Sequence, residues 1–437
     1  MTDDGRGMDQ LIARWLREDA ESSRVSYVAE TLERLDRTPQ RRVTGTVRQA
    51  LRIERPILPP VPRAGQLAFV LLLLLLALVT SFVVVGSQRR TVPPIGPAGN
   101  GLIGYASDNG VTLIGLDGSS TTTRLRGLGA DTNVAFSPDG TQVAFLSRSR
   151  DAIVTQGAQR LFVAAVEGDA AARDITGSVP VWNWDDPDVP PVWSPDGTRI
   201  AYSGFDVATS RIVVAIAHAD GSGATTIAPD VWWLQYTHPQ WSPDGQWLTF
   251  QAFTTGLEHG TQLILSRSDG SDRRVLIEST TRSFSFARVA WAPDGSALAF
   301  SRELSESPGD YGIFRYEIRM ATETPVNPPN TRAFDPTWSP DGEWIAYHED
   351  DAAPEGASRV VVADATDAGR PRRELPPVVG CSLAWSPDGR YLLGYAKGCE
   401  GALVVVAVDH PSQVITLETP GARGVVSWQR VPPDAGG

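Results

Sequence analysis

Between residues 101 and 430 the apolar residues come in short runs separated by polar turns, and no long segment keeps a 3.6-residue period. Arg199-Ile-Ala-Tyr-Ser203, Trp247-Leu-Thr-Phe-Gln251 and Trp344-Ile-Ala-Tyr-His348 are typical. Runs such as Arg211-Ile-Val-Val-Ala-Ile216 or Arg359-Val-Val-Val-Ala363 follow them, then less apolar ones such as Arg274-Val-Leu-Ile277. Their β-branched and aromatic content predicts strands. A different pattern precedes them. Leu67–Gly86 is a stretch of 20 residues without a charge, with leucine at every position from Leu71 to Leu76. A helix of that length, rising about 1.5 Å per residue, spans about 30 Å, the hydrocarbon thickness of a bilayer. Segment 65–87 is therefore expected to cross a membrane once. Its length and late start argue against a cleaved signal peptide.

The predicted strands are grouped by a repeat. Ser-Pro-Asp-Gly follows a tryptophan at Trp193, Trp241, Trp338 and Trp385, an alanine variant follows Trp291, and a sixth copy follows Phe136. Successive aromatics are 57, 48, 50, 47 and 47 residues apart. A period in the forties with four strands per unit is the pattern of propeller blades. Within the motif, proline presets one corner of a turn, aspartate bonds local backbone, and glycine takes a left-handed position. Asp139, Asp196, Asp244, Asp294, Asp341 and Asp388 are thus expected to be turn residues rather than cation ligands.

Six motifs suggest six blades, but the ends predict a seventh. Leu102–Ala106, Val111–Ile114 and Thr123–Arg126 read as second, third and fourth strands lacking a first. Gly424–Trp428 reads as a first strand lacking the rest, with Trp428 lying 43 residues beyond Trp385. Joining the two completes a blade and removes the free sheet edges. The expected fold is all-β, a seven-bladed propeller with six blades as the alternative. The expected organisation is a cytoplasmic helical segment at 1–64, the span at 65–87, a Pro-rich linker at 88–100, the propeller at 101–430 and a tail at 431–437.

The aromatic-Ser-Pro-Asp-Gly repeats resemble those of TolB-type, WD-like propellers, over roughly residues 101–430. That resemblance implies a binding platform outside the cytoplasm. The residues ahead of the repeats differ from those of TolB, so its transport role is not implied. The same propeller precedes the hydrolase domain of some serine peptidases; with the chain ending at Gly437, no such domain is expected here.

Charge refines the placement. Arg41, Arg42, Arg48, Arg52, Arg55 and Arg63 precede the span, whereas Arg89 and Arg90 follow it. The positive-inside rule then places the N-terminus in the cytoplasm and the propeller outside. Residues 1–64 carry a net +2 and the remainder −14. So acidic a repeat region is unsuited to nucleic acid. Before Thr38-Pro39, Leu11, Ile12, Trp15 and Leu16, then Tyr27, Val28, Thr31, Leu32 and Leu35, form helical apolar stripes. They are expected to dock on a cytoplasmic protein or to remain a partly ordered tail. A cytoplasmic segment, one span and an external domain together resemble a membrane-bound anti-sigma regulator. The Cys and His ligands of the zinc-binding type are absent from residues 1–64.

Candidate chemistry is sparse. Cys381 and Cys399 are the two cysteines, and in an antiparallel hairpin they fall at one rim, so a disulfide is expected. No helical zinc spacing, nucleophile elbow or phosphate loop occurs, and no cofactor or metal is expected. Register locates the most plausible binding surface. Three residues before each first-strand aromatic stand Asn133, Pro190, His238, Arg288, Asp335, Ser382 and Val425. Two before stand Val134, Pro191, Pro239, Val289, Pro336, Leu383 and Val426, an apolar set expected to pack between blades. Asn133, His238, Arg288, Asp335 and Ser382 should ring the channel mouth, where they bind a ligand or satisfy one another. Trp182–Asp188 is a further candidate for a sugar or Ca²⁺, or a cover for its blade. The leading functional expectation is an anchored extracytoplasmic module sensing an envelope protein, peptide or glycan. The alternative is an anchored propeller lyase or hydrolase using His238, Arg288 and Asp335.

Overall fold

The computed structural model describes residues 96–107, 110–118, 120–125, 129–149, 159–168, 171–182, 189–227, 234–254, 260–279, 289–304, 311–329, 331–350, 359–367, 369–376, 382–396 and 400–432. The expected cytoplasmic segment and membrane span lie outside them. No helix among the described residues is long and apolar enough to cross a membrane.

Among the described residues, the strands form seven four-stranded antiparallel sheets, which are the blades of a propeller. Six blades are read in chain order from an inner strand outward. Blade 2 begins with Gly129–Phe136, blade 3 with Val192–Trp193, blade 4 with Leu234–Trp241, blade 5 with Val289–Trp291, blade 6 with Arg332–Trp338 and blade 7 with Ala384–Trp385. Blade 1 is composite. Its inner strand is Arg423–Val431, from the far end of the chain, paired with Gly99–Ser107, then Gly110–Ile114 and Ser120–Leu125. Side chains rivet that joint: the Leu102 amide donates to Gln429 Oε1 (3.0 Å), and Gln429 Nε2 donates to the Gly140 carbonyl of blade 2 (2.8 Å).

The core lies between blades. Among the described residues, seven apolar clusters each join two neighbouring sheets; one unites Leu146, Leu161 and Val163 of blade 2 with Ile200, Tyr202 and Val213 of blade 3. Because successive side chains point to opposite faces, a middle strand can feed two clusters. In blade 6, Val361 packs toward blade 5, and Val360 and Val362 pack toward blade 7. A strand buried on both faces needs apolar residues at consecutive positions, which is why the third strands read as unbroken Val and Ile runs.

The motif turns form a second ring at one end. In blade 3 the Gly197 amide donates to the Ser194 carbonyl (2.8 Å) and the Arg199 amide donates to Ser194 Oγ (3.0 Å). Gly197 holds φ at 69°, a left-handed value that glycine adopts without steric cost. A Cβ there would lie 3.9 Å from Pro138 of the preceding blade, and the same neighbour relation recurs at Gly245, Gly295, Gly342 and Gly389. Successive turns therefore touch around the rim.

Candidate binding site at the central channel

The innermost strands line the channel, and their tryptophans set its geometry. Trp193 Nε1 donates to the Ala135 carbonyl (3.0 Å), Trp241 to Val192 (3.1 Å), Trp338 to Ala290 (3.1 Å) and Trp385 to Thr337 (3.2 Å). Each acceptor is the residue just before the preceding blade's aromatic. Trp291 donates instead to Thr249 Oγ1 (3.2 Å). A buried indole gains by placing its N–H on an acceptor, so these tryptophans both fill the layer between blades and fix their spacing. The apolar set two residues before the aromatics is buried among those layers: Val134, Val289, Leu383 and Val426 each belong to an interblade cluster.

Three residues before the aromatics the backbone does something periodicity does not show. Asn133, His238, Asp335 and Ser382 hold φ of 55°, 54°, 55° and 66°, in the left-handed region. Pairing with the second strand slips beside each of the first three, between Thr132 and Ala135, Thr237 and Gln240, and Phe334 and Thr337. Each is a β-bulge that bends the inner strand. Asn, Asp and His tolerate this conformation better than most residues, so backbone geometry accounts for part of the polarity at this position. Proline cannot adopt it, and Pro190 does not. In blade 1 the left-handed residue is Gly424 (φ 71°), one before Val425, so that strand runs one residue out of step with the others.

The side chains then divide. Asn133 is fully buried; its Oδ1 accepts from the Val425 amide of blade 1 (3.0 Å) and its Nδ2 donates to the Val189 carbonyl ahead of blade 3 (3.1 Å). Ser382, also buried, accepts from the Val426 amide (3.3 Å). These two are staples across blade boundaries. His238 and Asp335 are half-buried, and the His238 amide donates to Ser203 Oγ (3.2 Å), which is itself 2.8 Å from Thr237 Oγ1. Arg288 lies outside the described residues, as do Cys381, Cys399 and residues 183–188. Among the described residues no cluster of His, Cys, Asp and Glu is arranged to hold a metal ion.

Each turn aspartate accepts at least one local hydrogen bond. Asp196 Oδ1 accepts from Ser194 Oγ (2.5 Å), the Thr198 amide (3.0 Å) and Thr198 Oγ1 (2.8 Å). Burial works to raise its pKa, but these bonds and the Arg199 charge outweigh it and hold the carboxyl below its ordinary value. Asp139 is held low in the same way, against burial, by Ser137 and Thr141.

One grouping escaped the sequence reading. Glu349, with a side chain fully removed from solvent, accepts from Arg359 Nη2 (2.7 Å) and pairs with Arg372, whose Nη1 also donates to Tyr347 Oη (3.2 Å). It braces the second, third and fourth strands of blade 6.

Comparison with known proteins identifies this architecture. A model of the family described as PD40, TolB beta propeller domain, matches residues 171–410. The chain is similar to the uncharacterized peptidase YuxL of Bacillus subtilis, at 30% identity over 141 residues, which is 31% of this chain and 19% of that protein. It is also similar to the lasso peptide isopeptidase AtxE2 of Asticcacaulis excentricus, at 31% over 176 residues, 37% of this chain and 22% of that protein. The matches thus span about a fifth of the length of these relatives. A prolyl endopeptidase structure shares the fold at 16% identity and a TM-score of 0.52, covering 77% of this chain and 51% of that one.

Proposed function

From the premise that this chain belongs to the PD40 family of TolB β-propeller domains, we propose that it is a membrane-anchored module whose propeller binds an envelope protein, peptide or glycan. Segment 65–87 is the anchor, residues 1–64 are cytoplasmic and report to a cytoplasmic protein, and the propeller is extracytoplasmic. The ligand engages the channel end where the inner strands begin, through His238, Asp335 and Arg288. The observation that carries this reading is the left-handed backbone at His238 and Asp335. Glycine would hold that conformation at lower cost, so a large polar side chain kept there is free energy withheld from stability. The chain enters the propeller at the opposite end: the Ala98 amide donates to the Pro387 carbonyl (2.8 Å) in the turn of blade 7.

His238→Gly and Asp335→Gly test the reading. Each variant should gain about 1 kcal/mol of stability by relieving the left-handed strain, while losing capture of the envelope component that wild type retains. Stability lost together with unchanged capture would reduce both residues to structural parts of the bulge.

An enzyme is the second reading, favoured by the peptidase names of the two curated relatives given above. It requires turnover of a peptide, ester or glycan that survives purification and disappears in His238→Ala.

A further inference from the structure

The residue immediately before the inner-strand aromatic is half-buried in all seven blades. Four of these residues, Ala135, Val192, Gln240 and Ser427, border a cavity of about 320 Å³ between the inner strands of blades 1 to 4. The ring carries no charge: three blades place alanine there, and the others Val192, Gln240, Thr337 and Ser427. Gln240 is its one long side chain, and its carboxamide makes no hydrogen bond among the described residues. Ser427 Oγ accepts from the Phe136 amide and keeps its proton to donate. Arg430, at the turn end of the same cavity, is already engaged, by the Gly96 carbonyl and by further groups.

Blade 4 is also braced differently behind Gln240. Trp193, Trp241, Trp338 and Trp385 bond the carbonyl of the preceding blade's ring residue, whereas Trp291 bonds Thr249 Oγ1, cross-strand from Gln240. In the other six blades the residue cross-strand from the ring position is alanine, leucine or glycine. Thr249 is fully buried, and its hydroxyl lies 3.5 Å from the Gln240 carbonyl. The exception among the bonded indoles thus falls behind the one long polar residue of the ring.

A carboxamide offers both donor and acceptor, which a peptide unit answers with the opposite pair. A charged group would leave water for a ring without a counter-charge. A sugar would bring hydroxyls against Val134, Pro190, Pro191 and Val425, whose side chains cannot bond them. The volume, near the lower end for small-molecule pockets, suits one apolar residue with its flanking peptide units. We infer that the channel binds an extended, uncharged peptide segment, with the Gln240 carboxamide paired to one of its peptide units and an apolar side chain against Val134, Val192 and Val425. This rests on the reading of the channel as a binding element, and it selects a peptide among the ligands proposed for that element.

Isothermal titration of the full chain in detergent tests it. The probe is a capped tripeptide with leucine between two alanines. It is compared with the same peptide carrying aspartate for leucine, and with analogues in which each peptide N–H beside the leucine is replaced in turn by an ester oxygen. N-acetylglucosamine supplies an amide without the apolar body. The leucine peptide should bind about ten-fold tighter than the aspartate peptide and the sugar, and about five-fold tighter than the weaker ester. Gln240→Met, close in size but without the amide, should bind peptide and esters equally. Should that variant misfold, the comparison of peptide with esters on wild type still decides. No measurable heat from the leucine peptide, equal binding of peptide and both esters by wild type, or the sugar bound as tightly would overturn the assignment. So would a folded Gln240→Met that keeps the wild-type preference. Envelope capture by His238 and Asp335 is a separate readout: if it persists while the peptides fail, only the Gln240 assignment falls.

Discussion

Single side chains here are committed to local geometry before they are available for anything else, and Asp196 shows it most directly. Its carboxylate gathers the Ser194 hydroxyl and two groups of Thr198, and against the effect of burial these bonds hold it below the ordinary carboxylate value. A group depressed in the native state contributes stability that is complete above its unfolded pKa and is lost as pH falls through the native value. Asp196→Asn should therefore melt below wild type at pH 7, with the gap closing as pH drops below about 4. Thermal melts from pH 7 to pH 2 check this, and a gap constant across that range would show that the charge contributes nothing. The structural role of this aspartate was legible in the sequence because the whole circuit lies within six consecutive residues. The role of Asn133 was not. Its polarity suggested a ligand, yet its two partners are about 56 and 292 residues away on other blades, a distance over which no local pattern carries information.

The individual blade combines a legible part with a hidden one in the same way. Strand order follows from the motif's period, and burial on both faces follows from the unbroken apolar runs. What holds a sheet's edge together does not follow. Glu349 sits in Glu349-Asp350-Asp351, an acidic run that reads as solvent-facing, yet it is the fully buried member of an ion cluster. Its partners Arg359 and Arg372 come from the neighbouring strand and from the approach to the fourth. Each keeps about a quarter of its side chain exposed, so the cluster straddles the surface. Removing the shared carboxylate leaves two close guanidiniums without it, and breaking a buried pair from one side costs about 3–5 kcal/mol. Glu349→Ala should lie near the lower end of that range, because water reaches both arginines. Glu349→Gln should cost less, since its amide oxygen still accepts. Urea unfolding with an unchanged m-value reads the difference; an alanine variant within about 0.5 kcal/mol of wild type would make the cluster a surface pairing of no consequence.

Closing a ring of seven blades raises a question that no single blade answers: where the circle is weakest. Blade 1 is built from both ends of the propeller chain, and it stands outside the pattern of indole bonds on both sides. Phe136, facing it from blade 2, has no indole N–H, and Trp428 Nε1 is buried with no hydrogen-bond partner among the described residues. Other bonds substitute on one flank: the Phe136 amide donates to Ser427 Oγ (3.3 Å), beside the Gln429 and Asn133 bonds already described. Blade 1 also lacks a motif turn, so the ring of turns is broken there and backbone occupies the gap. A Cβ added to Gly140 would lie 2.1 Å from the Arg430 carbonyl oxygen, whereas one added to Gly197 would lie 3.9 Å from its nearest neighbour, Pro138. Both glycines hold a left-handed φ, 71° and 69°, so Gly140→Ala and Gly197→Ala share the same conformational cost of about 1–2 kcal/mol. The second variant should stop there. The first must in addition displace the closing strand, adding about 1–3 kcal/mol of overpacking. Hydrogen exchange locates that excess. Protection should fall selectively in Arg423–Val431 and Gly99–Ser107 for Gly140→Ala and stay uniform for Gly197→Ala. Such a result makes the joint of the two chain ends the place where the propeller first opens. Equal losses in the two variants, spread over all blades, would instead mean that the substituted seam is as strong as the indole-bonded interfaces.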